Sequence, residues 1–426
     1  MRDRALERFE ALFGPEFGHG KPFDLAPVHA ALNTLGNPQD ELPFPIHVAG
    51  TNGKGSTIAF MRAIAEAAGL RVHAFTKPHL FQLCERFLVA SEIVSNDRLI
   101  AAAERVAQIA PNLTQFDAQV TAALLLFSET PTDFTLIETG MGGRDDSTNV
   151  IAQPSATVIA PIALDHQDAL GATLCEIAAH KAGIMKRGVP AIVSRQQDAA
   201  RDVIEAAARK IGAPLWLQGV SWDAYAAHGR LAVQTEDETL DLPLPTLVGA
   251  HQIDNAGLAV AALLYADAPI PNHAFSGIAN ARWPARLQPL TRGPFSAPIR
   301  AKGGEVWVDA GHNAHAGMAL AQALRALNAK REAPTIAIIG MRARKEADSF
   351  VGALAGAVDH VIAAPLNEAH IPPALIASIA PMMGVEASIA PSLAAAMQNA
   401  AQLPAPRVLI CGSFLLAAQA LAAESA

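Results

Sequence analysis

Short apolar runs, each closed by a glycine-bearing turn and followed by an alanine-rich stretch with helical spacing, recur along most of the chain. The clearest is Ile46-His47-Val48-Ala49-Gly50, which leads into residues 56–68. Such strand–turn–helix punctuation, repeated, predicts an open parallel sheet with helices on both faces. Further strands are expected at 134–138, 156–163 and 191–194. After Trp216 the pattern changes to short alternating pieces, residues 229–234 among them, which predict a small antiparallel insertion. Residues 255–264 read as a buried helix. Proline, glycine and serine then cluster in Thr291-Arg292-Gly293-Pro294-Phe295-Ser296-Ala297-Pro298, ahead of a new apolar run at 305–309. Strands at 335–339, 360–363 and 407–411 follow, separated by helices, so a second α/β domain is expected. The predicted boundary divides residues 1–291 from 292–426.

A chain of 426 residues has room for two such domains. Its charge, 32 basic minus 40 acidic residues, is −8 with histidine neutral, which offers no general attraction to nucleic acid or an anionic membrane. Any phosphate must be held by a local device. Hydrophobic residues make up 51% and the mean hydropathy is +0.23, which raises the question of a membrane segment. The longest apolar stretch, 408–423, contains Cys411-Gly412-Ser413 and Gln419 and is shorter than the ~20 residues a span needs. Cys84, Cys175 and Cys411 are dispersed and odd in number, so neither a disulfide framework nor a zinc spacing is present. Charges occupy the N-terminus where a signal peptide has its apolar core, and a cytoplasmic location is expected.

Ala49-Gly50-Thr51-Asn52-Gly53-Lys54-Gly55-Ser56-Thr57 lies between a predicted strand and a predicted helix. Glycines let successive N–H groups face inward, and the helix N-terminus adds its positive end. Lys54 supplies a point charge, and Ser56 or Thr57 offers a hydroxyl to magnesium. The spacing departs from the common phosphate loop, because the first glycine stands three residues before Gly53 and Gly55 separates the lysine from the serine. An ordinary glycine-rich strand-to-helix turn is the plain alternative. Glu138, ending an apolar strand, and Asp165-His166, following another, are the metal-ligand candidates, since open α/β sheets place ligands at the carboxyl ends of their strands.

Further motifs follow in order. They are Thr76-Lys77-Pro78-His79-Leu80 with Glu85-Arg86, Glu138 to Arg144 with Asp146-Ser147-Thr148-Asn149, and Asp165-His166 with Leu170-Gly171. Then come Lys181-Ala182-Gly183-Ile184, Gly249-Ala250-His251-Gln252 with Asn255, Trp283-Pro284-Ala285-Arg286-Leu287, Asp309-Ala310-Gly311-His312-Asn313 and Gly412-Ser413. Over residues 47–415 this series resembles the Mur ligase superfamily, and within it the folylpolyglutamate synthase/dihydrofolate synthase branch. The resemblance implies a P-loop ATPase domain with a parallel sheet and a small antiparallel insertion, followed by a smaller Rossmann-like α/β domain. It implies an ATP-dependent amide ligase that adds L-glutamate to dihydropteroate, a reduced folate or both through an acyl phosphate. Gly50, Thr51, Asn52, Gly53, Lys54, Gly55, Ser56 and Thr57 would hold ATP, joined by Asn255, Arg286, Asp309 and His312. Ser56, Glu138 and His166 would bind magnesium, and a carbamylated Lys181 (N6-carboxylysine) would help hold a second ion. Lys54, Lys181 and His312 carry the implied catalytic roles in a cytoplasmic monomer without nucleic-acid or membrane partners.

By its own sequence context Lys181 is one lysine in an alanine-rich helix, which reads equally as a snorkelling surface side chain. Several positions depart from the family pattern. Lys77 stands where a serine near magnesium is usual, and His180 replaces a glutamate. Ala285 replaces a glycine and Ala314 a proline, both of which read as packing changes. Lys77 has two readings: it substitutes for part of the metal's charge, or the site has drifted in metal use or activity. Two rivals to the folate ligase are a Mur-type ligase acting on another carboxylate and amine, and a nucleotide-binding paralogue that has lost ligation. Phe17-Gly18-His19-Gly20 is left between a substrate-pocket segment and a solvent loop.

Overall fold

The structure is a computed structural model that describes residues 3–15 and 24–425. Residues 17–20, whose role the sequence leaves open, lie outside the described residues. The first sheet contains β1 (Pro45–Ala49), β2 (Val72–Phe75), β3 (Phe87–Val89), β4 (Glu92–Ile93), β5 (Phe134–Glu138), β6 (Ala156–Ile159), β7 (Ala191–Val193) and β8 (Leu215–Leu217). Their order is β4-β3-β2-β5-β1-β6-β7-β8, parallel from β2 to β8, with β3 and β4 antiparallel at one edge. Every residue of β1, β2, β5, β6 and β7 is buried, which is why these strands read as unbroken apolar runs and not as alternating ones.

Register places Phe75, Ile137, Ile159 and Val193 on one face of this sheet. Phe75 and Ile137 join an apolar cluster with Phe9, Leu32, Leu99 and Phe127, while Ile159 and Val193 join one with Ile177, Met185 and Ile204. Full burial of each such side chain contributes about 1.5–3 kcal/mol. The Lys54–Ala67 helix that follows β1 buries Ile58, Phe60, Met61 and Ile64 and so fixes the loop that starts it. The antiparallel insertion is β9 (Trp222–Ala227), β10 (Arg230–Thr235) and β11 (Thr239–Pro243), as the alternating pattern predicts. The buried helix expected at 255–264 runs Ala250–Tyr265.

The second sheet comprises β12 (Gln288–Pro289), β13 (Glu305–Val308), β14 (Thr335–Ile339), β15 (His360–Ala363), β16 (Glu386–Ile389) and β17 (Arg407–Cys411), in the order β12-β13-β17-β14-β15-β16. All neighbours are parallel except β12 and β13. Arg407 is fully buried yet satisfied, donating to Glu305, Asn328 and the carbonyls of Leu327 and Arg331. Contacts divide the chain into Met1–Thr246 with Ile253–Ala281, and Leu247–Gln252 with Arg282–Ala426. Pairing of β12 with β13 draws residues 282–291 into the second unit, a short antiparallel link that the apolar pattern does not reveal. No helix among the described residues is long and apolar enough to cross a membrane.

Candidate active site

Three adjacent strands, β5, β1 and β6, bring their carboxyl ends together, and the sequence continues from each into a loop that faces the same pocket. From β1 the chain turns at Gly50, whose φ is +145° and whose missing Cβ would lie 2.7 Å from the Ala160 Cβ. Gly53, at φ +87°, ends the loop, and a Cβ there would stand 2.4 Å from the Asn255 Oδ1. Only glycine allows that conformation without strain and lets the buried Asn255 side chain lie against the loop.

Beyond Ile159 the expected strand gives way to a holding segment. The Pro161 carbonyl accepts from the Thr51 and Asn52 N–H groups (2.9 and 3.2 Å), and the Thr51 Oγ1 both accepts from the Ala163 N–H and donates to the Ala163 carbonyl. Those two amides are therefore committed to the scaffold. The first intrahelical bond of the following helix runs from Thr57 N to Gly53 O, which leaves the Lys54, Gly55 and Ser56 N–H groups outside the helical ladder, where an anion is favoured.

The lysines define the electrostatics. Lys54 Nζ donates to the Gly50 and Thr51 carbonyls (3.0 and 3.2 Å) and stands 3.7 Å from the Glu138 Oε1. Lys181 Nζ donates to the same Gly50 carbonyl at 2.8 Å. It is buried, which removes the surface reading. Burial, aided by the Lys54 charge and opposed by Asp165 and Asp146, lowers its pKa to about 7. Loss of its proton is thus far easier than for an exposed lysine. Gly50, Thr51, Lys54, Thr139, Gly140, Met141, Gly142, Asp165, His166, Leu170 and Lys181 line one pocket.

Glu138 is buried, with Oε2 accepting from the Lys77 N–H (3.1 Å). The Ser56 Oγ is buried and has no hydrogen-bond partner, and neither has the Thr57 Oγ1. His166 lines the pocket from a left-handed backbone position with its side chain half exposed. Among the described residues no group of three or more His, Cys, Asp or Glu side chains is close enough to cage a metal. An orphaned hydroxyl and one carboxylate beside a phosphate loop nevertheless fit magnesium, which keeps water ligands and shares its shell with substrate phosphates.

The loop after β5 is latched by Asp146, whose carboxylate accepts from the Met141 N–H, the Thr148 N–H and the Thr148 hydroxyl (2.6, 3.1 and 2.6 Å). The His180 carbonyl receives the Arg144 N–H at 2.7 Å, docking the Leu174–Ala182 helix and hence Lys181. The His180 side chain lies 3.7 Å from Asp145, and its pKa is lowered chiefly by burial. The Glu85 carboxylate accepts from the N–H groups of Leu80, Phe81 and Gln82, while Arg86 donates to His79 and Gln119. That motif is thus a scaffold for the segment carrying Lys77. Lys77 holds its ammonium 4.8 Å from the centroid of the Phe116 ring.

In the second unit Asp309 directly follows β13 and is buried, accepting from the Leu287 and Gly311 N–H groups (2.7 and 2.6 Å). Arg286 sits 5.2 Å from the Phe414 ring centroid, and the His312 ring centroid lies 6.0 Å from it. His251 is lowered in pKa by burial, with Asp309 opposing and Arg286 and His315 reinforcing. Ala285 has φ +56°, so the alanine for glycine is no neutral packing change: it holds a side chain in the left-handed region. Ala314 begins a helix capped by Asn313, a position that alanine accepts freely. Phe116 and Phe414 were missed by sequence reasoning because isolated aromatics in helical segments look like core.

Comparison with known proteins gives these features a family. The Mur ligase middle domain matches residues 48–263, and the Mur ligase glutamate ligase domain matches residues 297–414. The fold and phosphate loop are therefore those of an ATP-dependent ligase of the Mur type. A dihydrofolate synthase/folylpolyglutamate synthase of Bacillus subtilis is 34% identical over 68% of this chain and 69% of its own length. The Escherichia coli protein of that description is 32% identical over 82% and 79%. Among solved structures, E. coli FolC in complex with DHPP and ADP superposes with a TM-score of 0.86 at 30% identity, covering 99% of this chain and 98% of that one. The Yersinia pestis bifunctional enzyme with Mn, AMPPNP and L-glutamate bound gives 0.85 at 28% identity, covering 100% and 99%. The chain belongs to the folylpolyglutamate synthase/dihydrofolate synthase family, whose members are ADP-forming acid–amino-acid ligases.

Proposed function

We propose that this chain joins L-glutamate to dihydropteroate or a reduced folate, converting ATP to ADP, with the phosphate loop and Lys181 at the reacting centre. One observation carries the assignment of residues: two lysines converge on the Gly50 carbonyl beside Glu138, an arrangement that gathers positive charge where phosphate would lie. A carboxylate cannot be attacked directly by an amine because oxide is a poor leaving group. Phosphorylation by the ATP γ-phosphate gives an acyl phosphate, and the amine of glutamate then displaces phosphate. Positioning and charge neutralisation are most of the catalysis.

Lys54 leaves its carbonyl partners for the phosphates, assisted by the free amides of the Lys54, Gly55 and Ser56 turn. Ser56, Glu138 and His166 are the residues we assign to a divalent cation, which when bound supplies charge neutralisation on the phosphates. The Lys181 amine, its pKa lowered by burial, more readily takes the neutral form that adds carbon dioxide, and a carbamate there would turn a repulsive ammonium pair into an ion pair with Lys54. Asn255 is assigned to the nucleotide on its contact with Gly53, and Arg286, Asp309 and His312 on their motif positions. Three free cysteines support a reducing, cytoplasmic setting, and we take the active form as the monomer.

ATP- and Mg²⁺-dependent ADP release should be stimulated by glutamate with dihydropteroate or with tetrahydrofolate. Lys54→Ala should abolish it, and Lys181→Ala should lower it at least a hundredfold. Stimulation by neither acid in the wild type would falsify the substrate assignment.

A further inference from the structure

We propose that Gln196 is a positioning residue for the phosphate loop, its side-chain amide taking the place of a neighbouring strand for residues 160–163, the segment to which the loop is bonded. This goes beyond the ligase reading above and rests on it only in assigning ATP to the loop.

Strands β6 and β7 pair from Thr157 with Ala191 to Ile159 with Val193, and the Ser194 N–H then donates to the Ile159 carbonyl at 3.0 Å. There the chain leaves the sheet: the Arg195 N–H donates to the Gln218 Oε1 at 2.9 Å, and a helix begins at Asp198. The β7 backbone thus stops short of residues 160–163, and the Gln196 side chain covers the gap. Its Nε2 donates to the Ala160 carbonyl and the Ser194 Oγ (3.2 and 3.0 Å), and its Oε1 accepts from the Ile162 N–H at 3.0 Å. The orientation of the amide is fixed, because only its oxygen can accept from Ile162 and only its nitrogen can donate to Ala160. Ala160 and Ile162 are buried, so water does not replace these bonds, and loss of the amide leaves a carbonyl and an N–H desolvated without a partner.

The opposite edge of the same segment is the floor of the loop. The Ala160 N–H donates to the Ala49 carbonyl at 2.8 Å, the Pro161 carbonyl holds the Thr51 and Asn52 amides, and Ala163 exchanges two bonds with the Thr51 hydroxyl. A Cβ on Gly50 would lie 3.0 Å from the Ala160 carbonyl oxygen, the atom that Gln196 holds. Gly50 in turn gives its own carbonyl to Lys54 and Lys181. Packing this close passes any shift of Ala160 to Gly50, and from there to both lysines and to the amides that start the helix. Gln196 acts on the nucleotide through this segment and not by touching it.

Gln196→Met keeps the size of the side chain and removes its hydrogen bonds to Ala160, Ile162 and Ser194. The ADP Kd, titrated without Mg²⁺ so that the cation site plays no part, and the KM for ATP should rise about tenfold or more, with a smaller fall in kcat. Hydrogen exchange at the Thr51 and Asn52 amides should quicken by about tenfold as well. Arg195→Ala removes a guanidinium from Asp223 and leaves residues 160–163 alone, so it should change the ADP Kd by less than about twofold. In a Thr51→Val background, where the hydroxyl bonds to Ala163 are gone, the Gln196→Met effect should shrink; effects that simply multiply overturn the proposal. Gln196→Glu keeps the acceptor for Ile162 and loses the donor to Ala160, so it should also weaken ADP, and it supplies the measurement if the methionine variant does not fold. Wild-type ADP affinity in a folded variant, or lost affinity with unchanged exchange at Thr51 and Asn52, overturns the proposal and leaves the ligase reading intact. A wild-type protein that binds ADP yet turns over neither acid overturns that reading alone, and one that binds no ADP overturns both.

Discussion

Thr148 has one hydroxyl proton, and it goes to the Asp146 carboxylate at 2.6 Å. The 2.8 Å contact between Thr148 Oγ1 and His47 Nε2 must then be donated by the imidazole, which makes His47 the Nε2–H tautomer. Its Nδ1 is buried with no partner, so a proton there would be an uncompensated charge, and burial, with help from Lys186, lowers the His47 pKa to about 3. In the unfolded chain the ring protonates near pH 6.5. The native state therefore loses stability as pH falls from about 6.5 toward 3, and the full contribution is present above 6.5. His47→Gln keeps a donor for Thr148 and cannot titrate, so its urea midpoint should fall less steeply than that of the wild type between pH 6.5 and 4. An identical slope would remove His47 from the acid limb. None of this is legible in Ile46-His47-Val48, where the histidine looks like an interruption of a strand. Lys181 teaches the same lesson, since residue type and motif are visible in the chain while the burial and the Lys54 charge that lower its pKa are contributed by residues remote in sequence.

At the level of elements, the strand–turn–helix pattern located most of the parallel strands, because a strand buried on both faces must be an apolar run. The edge strands β4, β8, β12 and β16 escaped it, being short and partly exposed, as did the buried β2 and β3, which span only four and three residues. The apolar run at 156–163 is strand only over Ala156–Ile159. Its second half is apolar because it is buried beneath the phosphate loop, where its carbonyls and amides serve Thr51 and Asn52 in place of a neighbouring strand. The loop itself depends on Gly53. Gly53→Ala imposes a left-handed alanine, costing about 1–2 kcal/mol, and drives a methyl into the Asn255 amide. Thermal stability should fall, and the KM for ATP should rise at least tenfold. Adding Asn255→Ala removes the collision but not the left-handed strain, so the double variant should regain part of the lost stability but not nucleotide affinity. Recovery of both would mean that Asn255 is a packing residue only.

At the scale of the whole molecule, a chain of net charge −8 binds a polyanion, and it does so by concentrating cations and helix-start amides at the carboxyl ends of β5, β1 and β6. A ligand bound to the native state alone stabilises it by RT ln(1 + [L]/Kd), about 2.7 kcal/mol at a hundredfold excess over Kd. Mg-ADP at that excess should raise the melting temperature of the wild type by several degrees, and Lys54→Ala should abolish the rise; a shift of equal size in the variant would place the nucleotide elsewhere. Composition, periodicity and motif order were enough to establish two α/β units, the phosphate loop and the ligase family, because each is written in local spacing. Which amides of the loop remain for an anion, where Lys77 rests, how Thr148 links the His47 imidazole to the Asp146 carboxylate and where residues 282–291 pair depended on folding. Those properties arise from desolvation and from groups tens to hundreds of residues apart meeting at one sheet edge, and no local pattern carries that information.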